Sequence, residues 1–180
     1  MLTASGCGDD DNNNANEEPW RVAINNVSFP IEQKLGQTSD FKIRVSNEST
    51  KPLPNVAISI DSFYYRDEQP GEADPAKPFW IVNRGPIGGT TAFVQTWALG
   101  KLDVGASKTF VWHVTAARAG AKTVKYKVQA ETEGVVDTRL PDGQAAQGTT
   151  AAVVSPKAPR ATVGKDGEVI NDPPYSSPQP

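Results

Sequence analysis

Between residues 20 and 155 the apolar side chains recur at every second position, and that period constrains the fold more than any other feature. Trp20, Val22 and Ile24 alternate with Arg21, Ala23 and Asn25. Phe41, Ile43 and Val45 alternate with Lys42, Arg44 and Ser46, and Val56, Ile58 and Ile60 with Ala57, Ser59 and Asp61. Phe93, Gln95, Trp97 and Leu99 share one parity and read as one strand. Phe110, Trp112 and Val114 alternate with Thr109, Val111 and His113, and Val124, Tyr126 and Val128 with Lys125, Lys127 and Gln129. A period of two places one set of side chains on one face of a pleated strand, whereas a helix repeats every 3.6 residues. The runs are rich in β-branched and aromatic residues and are bounded by Gly, Pro, Asn or Asp. No helix competes, because the Ala-rich stretches at 116–121 and 144–152 are cut by Gly120 and Gly148 and lack an apolar stripe.

Alternation with one wet face marks antiparallel sheets. A single sheet would leave its apolar face in water, so two must stack, about 10 Å apart. The expected fold class is therefore all-β, an immunoglobulin-like antiparallel β-sandwich of about seven strands. Trp20, Trp97 and Trp112 are expected to supply much of its core. His113 falls on the parity opposite Trp112 and should face solvent. Residues 66–78, with three Pro and nothing apolar beyond Ala, read as a long loop, and 83–89 as a second.

The tails differ in kind from this block. Residues 1–19 hold Asp9, Asp10, Asp11, Glu17 and Glu18 and no Lys or Arg, while the whole chain carries a formal charge of only −3. Residues 8–18 have no apolar side chain larger than Ala, too little to offset chain entropy, and are expected to be a disordered tether. Residues 156–180 hold six of the 15 Pro and are expected to be a disordered tail. Within that tail, the turn signal at 164–167 offers a small hairpin of 161–163 with 168–170 as the alternative. Three segments follow: the tether at 1–19, the sandwich at 20–155 and the Pro-rich tail at 156–180.

The residue inventory excludes several chemistries. One Cys allows no disulfide framework, and one Cys with one His does not make a His/Cys zinc site. The net charge gives no basic field for nucleic acid. Neither a nucleophile elbow nor a phosphate-binding glycine loop is present. Asp67, Glu68, Glu72 and Asp74 share one loop but fit no EF-hand spacing, and Glu131 and Glu133 have no facing carboxylate. The reading is no enzyme, no cofactor and no metal. Aromatic pairs remain. Neighbouring strand residues point to opposite faces, so one of Tyr64 and Tyr65, and one of Phe79 and Trp80, is left outside the core. Tyr65 and Trp80 are the candidate ligand-binding residues, placed to stack on a sugar or grip a protein.

Two resemblances add to this. Ala4, Ser5 and Gly6 leading into the single Cys7 resemble a bacterial lipobox, and the acidic run Asp9 to Asp11 after it is common in such lipoproteins. The resemblance implies a diacylglycerol on the Cys7 thiol, Cys7 as mature N-terminus, and an extracytoplasmic protein anchored to the cell membrane. The chain departs from the pattern in having only Met1 and Leu2 before Thr3, where a signal carries basic residues and 7–15 apolar ones. The reading frame is therefore expected to continue upstream. Second, residues 41–47 and 52–60 resemble the B and C strands of bacterial CARDB-like domains. Residues 104–112 resemble the step into the F strand of these domains, and 119–128 the F–G hairpin, with Gly105 and Gly120 at turns that need positive φ. The resemblance covers 35–130 and extends to actinobacterial-type envelope proteins. It implies a non-catalytic interaction or adhesion module with a protein or cell-wall glycan partner. The alternatives are a glycan or small-ligand binder using the loop aromatics, and an accessory subunit of an envelope enzyme.

Overall fold

The computed structural model describes residues 19–66, 76–93, 95–130, 138–157 and 160–172. One sheet runs β12 (Thr138–Arg139), β1 (Trp20–Ser28), β3 (Thr38–Asn47), β10 (Ser107–Ala116) and β7 (Trp80–Arg84) from edge to edge. The other runs β2 (Glu32–Lys34), β13 (Gln147–Ser155), β11 (Gly120–Gln129), β4 (Ala57–Ser59), β9 (Thr96–Ala98) and β8 (Thr90–Phe93). Two ribbons stand apart from these sheets, β5 (Tyr64–Arg66) with β6 (Ala76–Pro78) and β14 (Arg160–Val163) with β15 (Val169–Asp172). Among the described residues the only helical turn is the three-residue Asp61–Phe63, and no helix is long and apolar enough to cross a membrane.

The strand order identifies the fold. In the first sheet β1-β3-β10-β7 takes the A-B-E-D order of an immunoglobulin domain, and in the second β13-β11-β4 takes G-F-C. The chain is an all-β, immunoglobulin-like sandwich. The strands beyond seven are additions to that frame. A β8–β9 hairpin sits beside β4, β2 pairs parallel with β13, and β12 pairs parallel with β1.

Several expectations need correction. Residues 107–116 occupy the E place rather than leading into F, and 120–129 are the F strand itself. The link at 117–119 crosses from one sheet to the other, so Gly120, at φ 122°, opens β11 after a crossover and not after a hairpin turn. Gly105 does take the positive φ its turn requires, 71°. Residues 93–99 are not one strand. Gln95 lies at φ 64°, and the chain reverses there between β8 and β9. The segment at 66–78 begins and ends as the β5–β6 ribbon, with 67–75 outside the described residues. The Pro-rich tail contains the β14–β15 hairpin, so it is not wholly without structure.

The core follows the parity. Phe41, Ile43 and Val45 of β3, Phe110, Trp112 and Val114 of β10, and Val124 and Val128 of β11 have no exposure. Trp20, Trp97 and Trp112 are all buried. Trp112 stacks on Phe41 (5.5 Å) and Phe110 (5.7 Å) and meets Trp97 edge-on (5.6 Å). Such ring pairs each add about 0.5–1.5 kcal/mol beyond their area burial. Strands in the B and F places are joined across the core by Phe41 and Tyr126, with centroids 6.3 Å apart. At the lower end a fully buried Asn47 ties two loops together. Its amide donates to the Lys51 and Leu102 carbonyls, both at 3.0 Å, and accepts from the Ser49 N–H at 2.9 Å. A buried amide is stable only when satisfied in this way.

Candidate functional site

The parity that buries Phe41, Ile43 and Val45 turns Asp40, Lys42 and Arg44 outward on β3. On β10 it turns Thr109, Val111, His113 and Thr115 to the same face. Strand register sets His113 opposite Asp40 on one side and opposite Arg84 on the other. The Arg84 position depends on a bulge in β7. The register passes from Val82 to Arg84, skipping Asn83, and this re-aims the Arg84 side chain over β10.

The contacts fix the imidazole. His113 Nδ1 lies 2.5 Å from Asp40 Oδ1, and Arg84 Nη2 meets His113 Nε2. A guanidinium only donates, so Nε2 accepts and Nδ1 carries the proton that it gives to Asp40. Lys42 Nζ lies 3.4 Å from the other Asp40 oxygen. Beside this chain of contacts, Asn83 donates to Thr115 Oγ1 (2.7 Å), which also meets Thr38 Oγ1 (3.0 Å). Arg44 stands opposite Asn26 on β1 and Thr109 on β10. It is exposed and makes no ion pair among the described residues.

An Asp–His pair is half of a nucleophile-activating arrangement. Here Arg84 occupies the ring nitrogen that would face a nucleophile, so the cluster holds charge in place and activates no hydroxyl. Among the described residues no group of three His, Cys, Asp or Glu side chains is placed to hold a metal ion. A hollow of about 260 Å³ lies at the lower end, lined by Pro19, Arg21, Glu48, Ser49, Thr50 and Lys51, and Lys51 Nζ sits 4.2 Å over the Trp20 ring. It is an open polar depression against one end of β1.

The residues singled out from the sequence fare differently. Trp80 is not a ligand platform. It has no exposure, its Nε1 donates to the buried Gln33 Oε1 at 2.9 Å, and its ring meets Phe29 and Phe63. Its neighbour Phe79 is the outer member of the pair and is itself covered, with Lys122 Nζ 3.9 Å from its centroid. Tyr65 lies in β5 opposite Lys77, and its side chain is outside the described residues. So are Cys7 and its tether, Asp67, Glu68, Glu72, Asp74, Glu131 and Glu133. The structure brings together a set the sequence reading did not assemble, Asp40, His113, Arg84, Lys42 and Arg44. The outward parity of β3 and β10 already pointed to three of them, Lys42, Arg44 and His113. Arg84 lay in a segment read as loop, and a bulge leaves no composition signal.

No family model and no curated protein matches the chain. Among solved structures it is similar to the CARDB domain of a Pyrococcus furiosus protein, crystallised in complex with di-metal ions. That match has a TM-score of 0.49 and 11% identity, over 83% of this chain and 100% of that one. It is also similar to the ASH/PapD-like domain of human CEP192, with TM-score 0.40 and 11% identity over 87% and 97% of the two chains. A third similarity is to a β-glucosidase of Listeria innocua, with TM-score 0.38 and 13% identity, covering 76% of this chain and 16% of the enzyme.

Proposed function

We propose that the chain is a non-catalytic, CARDB-like interaction module of a bacterial cell envelope, held outside the cytoplasmic membrane by lipid on Cys7. The observation that carries this is the A-B-E-D and G-F-C strand order around an aromatic-filled core, which among the described residues leaves the outer sheet faces and loop ends as the surfaces for a partner. Such a frame meets its partner across a face or a loop end. Support for the anchor comes from the small residues before Cys7 and the acidic segment after it. Pro19, where the described chain starts, lies at the lower end of β1. The twelve residues between Cys7 and Trp20, nine of them Asp, Asn or Glu, span about 20 Å as a coil, at about 5–6 Å × √n. That length holds the domain just clear of the head groups. Two or more acyl chains give stable anchoring where one does not.

The test is detergent partitioning of the protein expressed from its own locus in its native host. The wild type is expected in the detergent phase and Cys7→Ser in the aqueous phase. Equal aqueous partitioning of both would overturn the anchored reading. A glycan platform built on Trp80 is withdrawn, because the ring is buried in the core.

A further inference from the structure

We propose that the outer face of the β1-β3-β10-β7 sheet binds an acidic polysaccharide through Lys42, Arg44 and Arg84. Successive outward positions on a strand lie about 7 Å apart and the outer strands of a three-strand set about 10 Å apart. Lys42 and Arg44 on β3, with Arg84 across β10, therefore form a triangle of cations on a flat surface. Among the described strand residues one carboxylate shares this face, Asp40, and it is engaged by His113 and Lys42. The cations thus outnumber the anions where a ligand would lie.

The register partners of these cations supply the remaining chemistry. Asn26 and Thr109 flank Arg44, and Ser28 flanks Lys42, a row of amides and hydroxyls suited to sugar hydroxyl groups. Among the described residues no Phe, Tyr or Trp lies on this face, and its one imidazole, His113, is held between Asp40 and Arg84, which leaves little on which a nucleobase could stack. A polymer of sugars bearing carboxylates meets both features, because Arg pairs with carboxylates through two parallel hydrogen bonds. The His113–Asp40 pair is the positioning element that holds Arg84 over β10. This inference deepens the envelope-module reading and rests on it only for where the polymer is met.

The test uses the purified full chain in solution, so that glycan binding and Cys7 anchoring fail independently. Polygalacturonate is the probe, neutral dextran the uncharged control and a single-stranded oligonucleotide the competing polyanion, with affinity read by calorimetry at low and near-physiological salt. Polygalacturonate alone is expected to bind, and Arg44→Ser with Arg84→Gln to weaken it at least about tenfold and flatten its salt dependence. Because Arg84 also touches His113, Arg44→Ser alone is measured beside the double variant and is expected to weaken binding in the same direction. Lys125→Ser with Lys127→Ser, on the opposite sheet, should leave affinity unchanged. Absence of polygalacturonate binding would overturn the proposal. So would equal loss in the Lys125/Lys127 variant, or equal binding of the oligonucleotide, since either means charge alone is being read.

Discussion

Trp112 and His113 are neighbours in sequence with opposite fates. Trp112 has no exposure and contacts three other core rings. Its truncation to Ala should cost about 3–5 kcal/mol, from lost transfer energy and the cavity left behind. His113 is part-exposed and its polar contacts lie on the wet face, so His113→Ala should cost under about 1 kcal/mol. Urea unfolding of the two variants checks this, and equal losses would mean the faces are inverted. This much was legible, because a period of two assigns every residue of a strand to one face. The fate of Trp80 was not. Parity says only that one of Phe79 and Trp80 turns inward. Which one is decided by Gln33, 47 residues earlier, whose buried carboxamide accepts the indole N–H. That choice belongs to tertiary contact, and no local pattern carries it.

At the scale of elements, the pairing of β11 with β13 shows both how the sheet closes and why one strand stayed hidden. Residues 147–155 were not recognised as a strand because Gly148, Ala151 and Ala152 give little apolar contrast, although Ala152 and Val154 point into the core. Likewise the β8–β9 reversal at Gln95 uses a positive φ without the Gly or Asn that announces one. Gly148 sits opposite Tyr126, whose ring lies across it, and a Cβ there would come within 2.2 Å of the phenol oxygen. Burial of that phenol pushes its pKa up from the ordinary value near 10. Above about pH 10 the unfolded chain gives up this proton while the folded chain keeps it, so the unfolded state binds fewer protons and stability falls as pH rises. Below that pH the group adds no slope. Tyr126→Phe should therefore lose less stability than wild type between neutral and strongly alkaline pH. Denaturation midpoints of both proteins across that range provide the check, and parallel curves would refute the assignment.

For the whole molecule, the sandwich and the C-terminal hairpin are separate hydrogen-bonded units. Val163 and Val169 of the hairpin are 73% and 61% exposed, so little of its apolar surface is buried. Removing 160–180 should leave the melting temperature within a few degrees, since segments without core burial add little stability. A fall of more than about 5 °C would mean that the tail packs on the sandwich. The turn at 164–167 was readable in the sequence, but whether its flanks would pair depended on weighing weak propensity against proline content. β1 starts at the lower end, whereas β13 finishes at the upper end, where Leu35 N–H bonds the Ser155 carbonyl. In β2 and β13, which run parallel, Glu32, Gln33 and Lys34 are matched to Val153, Val154 and Ser155. A pull applied between the chain ends that flank β1 and β13 therefore loads this seam lengthwise. Its bonds must yield together instead of peeling one after another, and the short patch of β2 becomes a mechanical clasp against tension along the long axis.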